Sequence, residues 1–167
     1  ILYGMSAFGL SKQLGLGRSE SQAFIDAYFD RYPTVRQFMD RTLEDARAQG
    51  YVETLLGHRV YLPDINAKNG MHRAYAERTA INAPLQGSAA DIIKVAMIEL
   101  HKQMGEAFPG AKMTMQVHDE LVIECSGKEA EAVTTVIRDV MEHAVKLQVP
   151  LVVDIGCGGN WFEAHQL

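Results

Sequence analysis

Residues 113–125, MTMQVHDELVIEC, hold the densest cluster of chemistry-bearing side chains in the chain. Met113, Met115 and Val117 alternate with Thr114 and Gln116, and Leu121, Val122 and Ile123 follow the cluster. The pattern predicts two short strands with His118, Asp119 and Glu120 at or beside the turn. Neighbouring side chains on an extended strand point to opposite faces. Asp119 and Glu120 are therefore expected to divide, one as principal ligand for a cation, the other secondary or turned outward. Two carboxylates this close repel each other, and a divalent cation relieves the repulsion. Oxygen ligands with little sulfur or imidazole favour Mg²⁺, which takes one or two carboxylates plus substrate phosphates. Acidic, solvated turns are also common, so the tripeptide by itself decides nothing.

A second cluster lies in ERTAINAPLQGSAAD. Arg78, Asn82 and Gln86 fall at i, i+4 and i+8, which is one face of a helix. Small or apolar residues surround them, and Pro84 should kink the helix there. A face of solvated polar residues is the ordinary reading. Amide donors in place of the usual Lys/Glu mixture weaken it. The minor groove of a duplex offers acceptors at every base pair, so such a row senses it without reading sequence.

Several elements must position these residues. Ser6 to Leu14 reads as a short helix stopped by Gly15 and Gly17, and Ser19 as the N-cap of a second helix reaching Tyr32. Pro33 opens a third that ends at Gly50. YVETLLGHRVYLP is a hairpin around Gly57. Residues 71–104 are helical in composition, with Pro84 and Gly87 interrupting and Ser88 and Asp91 restarting the helix as a capping box. Residues 128–146 form an amphipathic helix, and PLVVDIG is expected as a last, largely buried strand. Helices followed by a sheet with a packed helix predict an α+β fold.

The 167 residues are 47% hydrophobic and 22% charged, enough for a sizeable core. No apolar run approaches the ~18 residues that span a bilayer, and no membrane role is expected. Cys125 and Cys157 lack metal-type or paired spacing, which fits a reducing setting. A net charge of −5 does not suggest a nucleic-acid binder, so such a claim must rest on local patches. The chain opens on ILYGMSAFGL, without an initiator Met, and the expectation is a segment of a longer protein.

YGMSAFGL, RTAINAPLQGSAADIIK, QVHDELVIE and GGNWFEAH together resemble, in family order, the C-terminal part of the bacterial family A DNA polymerases. The resemblance runs through nearly the whole chain. It implies template-directed nucleotidyl transfer from a dNTP to a primer 3′-hydroxyl, with primer–template DNA and dNTP as partners and two Mg²⁺ as cofactors. It also implies a bacterial cytoplasmic, nucleoid-associated location. Asp119 would be a catalytic metal ligand, Glu120 its acidic neighbour at the metal site, and His118 would lie by the primer terminus. Arg78, Asn82 and Gln86 would contact primer–template DNA. Tyr3 would stack near the templating position, Gly4 would allow close approach, and Ser6 would lie near template backbone. Arg73 matches one of a basic pair, while His72 departs from the usual second basic residue. Residues 1–50 would be the end of the fingers, and 51–167 the palm-associated hairpin, long helices and palm sheet. The other catalytic Asp and the nucleotide-binding Arg, Lys and Phe would lie upstream of Ile1. The segment alone is thus expected to be inactive.

Two rivals differ in class. VVDIGCGG, residues 152–159, looks like the first loop of an S-adenosylmethionine-dependent methyltransferase. That loop should open a βαβ unit with an acidic residue ~20 positions on, and here the chain runs only to Leu167. A non-catalytic nucleic-acid-binding module would use the donor row and have no need of Asp119.

Overall fold

The structure, a computed structural model, describes residues 4–165 and divides into two compact units, 1–88 and 89–167. Among the described residues are helices and two antiparallel two-stranded sheets, an α+β composition.

In the first unit, α1 (Ala7–Leu14) starts where the Ser6 hydroxyl accepts the Gly9 amide, and it ends at Gly15 in left-handed backbone. Helix α2 (Arg18–Arg31) starts one residue before the expected cap. Its N-cap is Gly17, whose extended backbone has no side-chain cap to offer, and Ser19 lies inside the first turn. Helix α3 (Pro33–Gln49) takes proline at its first position and Gly50 as its left-handed cap. Strands β1 (Tyr51–Glu53) and β2 (Arg59–Tyr61) form the hairpin around Gly57. Its buried Val52 joins Ala46, Leu62, Ile65, Ala76 and Ala80 in one apolar cluster.

The long helix corrects the sequence reading. Helix α4 (Gly70–Ala107) is continuous through Pro84 and Gly87. Its start is capped by Asn69, whose side-chain oxygen accepts the Met71 amide at 2.9 Å. Ser88 does not restart a helix. Its hydroxyl donates to the carbonyl of Pro84, one turn back, and accepts the Leu55 amide at 2.7 Å. Gly87 is a contact point and not a break: a Cβ there would lie 2.6 Å from Cγ2 of Thr54. Gly87 and Ser88 thus make the notch that receives the β1–β2 turn.

In the second unit, β3 (Lys112–Val117) and β4 (Glu120–Glu124) form the expected hairpin. Helix α5 (Ala130–Glu142) buries Val133, Ile137 and Val140 against Leu100 and Met104, with Met113, Leu121 and Ile123 packed on that cluster. Leu100 and Val133 are fully buried, and truncating such a leucine costs about 2–5 kcal/mol. The expected last strand is absent among the described residues. Residues 150–158 carry no strand pairing, and Val152 is 76% exposed. Side chains of α5 hold this backbone in place of a neighbouring strand: Glu142 accepts the Val153 amide at 3.1 Å, and Arg138 donates to the Val153 carbonyl. Without that strand the methyltransferase-like loop loses its βαβ setting.

The Gly87 notch makes a signed prediction. Gly87→Ala gains about 1 kcal/mol of helix propensity but forces an overlap costing about 1–3 kcal/mol. Thr54→Ser removes the offending methyl and keeps the hydroxyl that accepts the His58 amide. Gly87→Ala should therefore destabilise the wild-type background and stabilise the Thr54→Ser background, as measured by denaturant unfolding. The same sign in both backgrounds would contradict the contact.

Candidate active site

The hairpin tip is set by a bulge. Met113 pairs with Ile123, but Met115 pairs with Val122, so Thr114 is the extra residue. Its hydroxyl donates to the Val122 carbonyl at 3.2 Å. Without the bulge, pairing would end at Gln116 opposite Glu120 and leave a three-residue loop, 117–119. With it, Val117 pairs with Glu120, and His118 and Asp119 alone make the turn. The bulge also breaks the simple alternation expected for β3: Met113 packs on the core, while Met115 is 46% exposed.

His118 has φ = 53°, the one positive value at a non-glycine position among the described residues. A β-carbon in left-handed backbone costs on the order of 1 kcal/mol. The strained residue and the exposed carboxylate next to it form the tip. Gln116 braces the turn by donating its side-chain amide to the His118 carbonyl at 3.0 Å. Asp119 makes no hydrogen bond or ion pair with the described residues.

Glu120 differs in every respect. One carboxylate oxygen accepts the Trp161 indole N–H at 2.7 Å. The other lies 3.1 Å from Nε2 of His165. These hydrogen bonds, Trp161 first and His165 second, hold the Glu120 carboxyl below the usual carboxylate range. His165 also places Nδ1 2.8 Å from the Trp161 carbonyl. Both of its neighbours are pure acceptors, so both contacts are hydrogen bonds only when both ring nitrogens carry protons. The Trp161 carbonyl chiefly, and Glu120 next, raise the imidazole's pKa.

The segment GGNWFEAH is built to supply this pair. Helix α6 (Trp161–Ala164) is a single turn. Asn160 caps it by accepting the Glu163 amide at 3.0 Å, and Glu163 reaches back to the Gly159 amide at 3.0 Å and to the Asn160 side-chain amide at 2.7 Å. The chain folds so tightly that a Cβ on Gly158 would sit 2.7 Å from the backbone nitrogen of Ala164. Trp161 and His165, four residues apart, then share the face that meets Glu120. Sequence reasoning gave neither residue a role. The NxxE cap and the W-x-x-x-H spacing were the available signals.

The donor row lies on α4 in the first unit. Arg78 and Gln86 are exposed. Asn82 is half-buried, and its Oδ1 has no hydrogen-bond partner among the described residues. The row is therefore less uniform than its spacing suggests. Gly4, with φ = 74°, packs on the same helix: a Cβ there would lie 3.4 Å from Ile81 Cδ1 and 3.5 Å from Arg78 Cγ. Ser6 is the cap of α1. Arg73 already serves the fold, donating to the Ala67 carbonyl at 3.0 Å and lying 3.9 Å from Glu77. Tyr3 lies outside the described residues. No three His, Cys, Asp or Glu among the described residues are grouped to hold a metal ion, and no described helix is long and apolar enough to cross a membrane.

Residues 1–163 match the family described as DNA polymerase family A. The chain belongs to that family. It is 54% identical over 165 residues to DNA polymerase I of Pseudomonas aeruginosa, covering 99% of this chain and 18% of that protein. It is 48% identical over 166 residues to the thermostable DNA polymerase I of Thermus aquaticus, covering 99% of this chain and 20% of that protein. Among solved structures it resembles the POL domain of Pol1 from M. smegmatis in complex with DNA primer-template and dNTP. There the TM-score is 0.95 at 43% identity, over 98% of this chain and 29% of that one. The chain thus spans about a fifth of its full-length family A relatives.

The His165 contacts give a pH prediction. Its pKa is raised from 6.5, so its help in holding α6 is complete below pH 6.5 and is lost as pH rises through the raised value. Glu120 is lowered from 4.5, so its share is present above pH 4.5 and is lost as pH falls through the lowered value. A side-chain NMR titration should place the His165 midpoint above 6.5. Glu120→Gln should move it only part of the way back, because the Trp161 carbonyl remains. A wild-type midpoint at or below 6.5 would contradict the doubly protonated geometry.

Proposed function

We propose that this chain is the fingers-end and palm portion of a DNA-directed DNA polymerase, in which Asp119 binds a catalytic divalent cation. One observation carries the reading. The His118–Asp119 turn presents an exposed carboxylate with no partner among the described residues, and its neighbour Glu120 is tied down. An unpartnered carboxylate oxygen at a braced turn fits a Mg²⁺ ligand. The remaining ligands, including a second carboxylate, come from the rest of the protein and from nucleotide phosphates. Residues 1–50 are then the end of the fingers and 51–167 the palm portion, acting in the bacterial cytoplasm on nucleoid DNA.

The reaction is attack of the primer 3′-hydroxyl on the α-phosphate of a dNTP, releasing pyrophosphate. A pair of divalent cations, when bound, eases deprotonation of that hydroxyl and neutralises charge on the attacked phosphate and the leaving group. Asp119 would hold one of these ions, and the strained His118 beside it would face the primer terminus. Arg78, Asn82 and Gln86 contact the primer–template duplex. The buried, unpartnered oxygen of Asn82 costs about 1–3 kcal/mol. The groove acceptors would take the side-chain N–H groups of Asn82 and not this oxygen. Gly4 itself lies close to α4 at Arg78, next to the same row.

Two substitutions in the full-length protein separate chemistry from binding. Asp119→Ala should lower single-turnover incorporation by at least ~10³-fold, since losing a catalytic metal ligand removes on the order of 4 kcal/mol of barrier lowering. Its primer–template affinity should change little. Asn82→Ala should do the reverse. It should weaken duplex binding by about 1 kcal/mol with little dependence on sequence, without loss of folding stability. Retained incorporation in Asp119→Ala would sink the metal role, and a strong base preference in Asn82→Ala would sink the minor-groove contact.

A further inference from the structure

The placement of Glu120 raises a question that the reaction does not answer. A second carboxylate directly after a metal-binding Asp119 is a competitor for the same ion. An acidic side chain one residue away can rotate toward a divalent cation and hold it in the wrong place, because charge attraction alone does not specify geometry. In this fold the competitor is occupied. Both of its oxygens are engaged, by the indole N–H at 2.7 Å and by the imidazole at 3.1 Å. The two donors come from one short helix, and their rings stack edge to face with centroids 4.8 Å apart. Gly158, Asn160 and Glu163 fix that helix by backbone contact and reciprocal capping. A four-residue helix with so much local bracing has little purpose as core: Trp161 is 50% exposed and Phe162 is 70% exposed.

We propose that Trp161 and His165 are positioning residues that clamp the Glu120 carboxylate away from the ion held by Asp119. The inference rests on the polymerase reading above. The clamp acts through geometry in two ways. It removes a competing ligand from beside Asp119, and it ties the β4 side of the turn so that the strained His118 backbone stays in one conformation. A charged partner is needed for the first function, and a hydrogen-bond donor of fixed position for the second. Histidine and tryptophan at i and i+4 supply both.

The test uses the full-length protein. Trp161→Phe keeps the ring and removes the N–H. His165→Gln keeps a donor and removes the charge. Each should slow incorporation by about 10-fold or more, the range seen when groups that orient metal ligands are removed, with unchanged primer–template affinity. Adding Glu120→Gln to Trp161→Phe should restore the rate to that of Glu120→Gln alone, because the freed competitor is gone. A merely structural tryptophan would show no such rescue. The second readout is the ¹⁵N-labelled indole of Trp161, whose hydrogen-bonded proton should resonate downfield in the wild type and move upfield in Glu120→Gln. Saturating Mg²⁺ should leave the wild-type signal in place. A double variant no faster than Trp161→Phe, or an upfield move of the wild-type indole on adding Mg²⁺, would overturn the clamp. A wild-type protein that extends no primer would instead sink the polymerase reading, and the indole signal would still decide where Glu120 goes.

Discussion

The second unit is organised around the separation of two consecutive carboxylates, Asp119 in the turn and Glu120 on the strand that follows it. Leu121 and Ile123 must face the core, where they pack on the cluster that includes Leu100 and Val133. Alternation then turns Glu120 to the opposite face. The bulge at Thr114 shifts β3 by one residue, so the turn shrinks to His118 and Asp119. Asp119 is left at the tip and Glu120 is left on a strand face, where α6 can reach it. Core packing, bulge and capped helix each determine one part of a single arrangement.

The first unit solves a different problem with similar means. A hairpin of three-residue strands is marginal alone. Here Val52 enters the cluster with Ala46 and Ala80, and the turn seats itself in the Gly87–Ser88 notch of α4. The same helix carries Arg78, Asn82 and Gln86, so the hairpin braces the element on which the donor row stands. Around Arg73 the charges are used for the fold: Glu77 is shared between Arg47 at 2.9 Å and Arg73 at 3.9 Å. Exposed pairs of this kind add little stability, but they commit a guanidinium that a surface reading would count as available.

What the sequence disclosed follows from the range of each interaction. Helices α1 and α3 and both hairpins were legible because their signals are local: Pro33 at a first turn, Gly15 and Gly50 past an end. The family was legible because four motifs fall in order. The errors lie where a distant partner decides. Gly87 read as a helix breaker, and Thr54 explains it. Ser88 read as a cap, and the Pro84 carbonyl and Leu55 amide occupy its hydroxyl. PLVVDIG read as a strand, and Arg138 and Glu142 hold its backbone instead. Strand alternation was the ground for expecting Asp119 and Glu120 to divide, whereas the structure has Asp119 in the turn and Glu120 on β4; nothing beside the pair pointed to Trp161 and His165, which lie about forty residues further on.

The most direct measurement is Mn²⁺ binding to the full-length protein carrying primer–template DNA and an unreactive nucleotide, followed by electron paramagnetic resonance. Asp119→Asn should weaken one bound ion by at least ~10-fold, while Glu120→Gln should leave its affinity close to wild type. Equal losses in the two variants would show that both carboxylates hold the ion, and would contradict the division of roles at the hairpin tip.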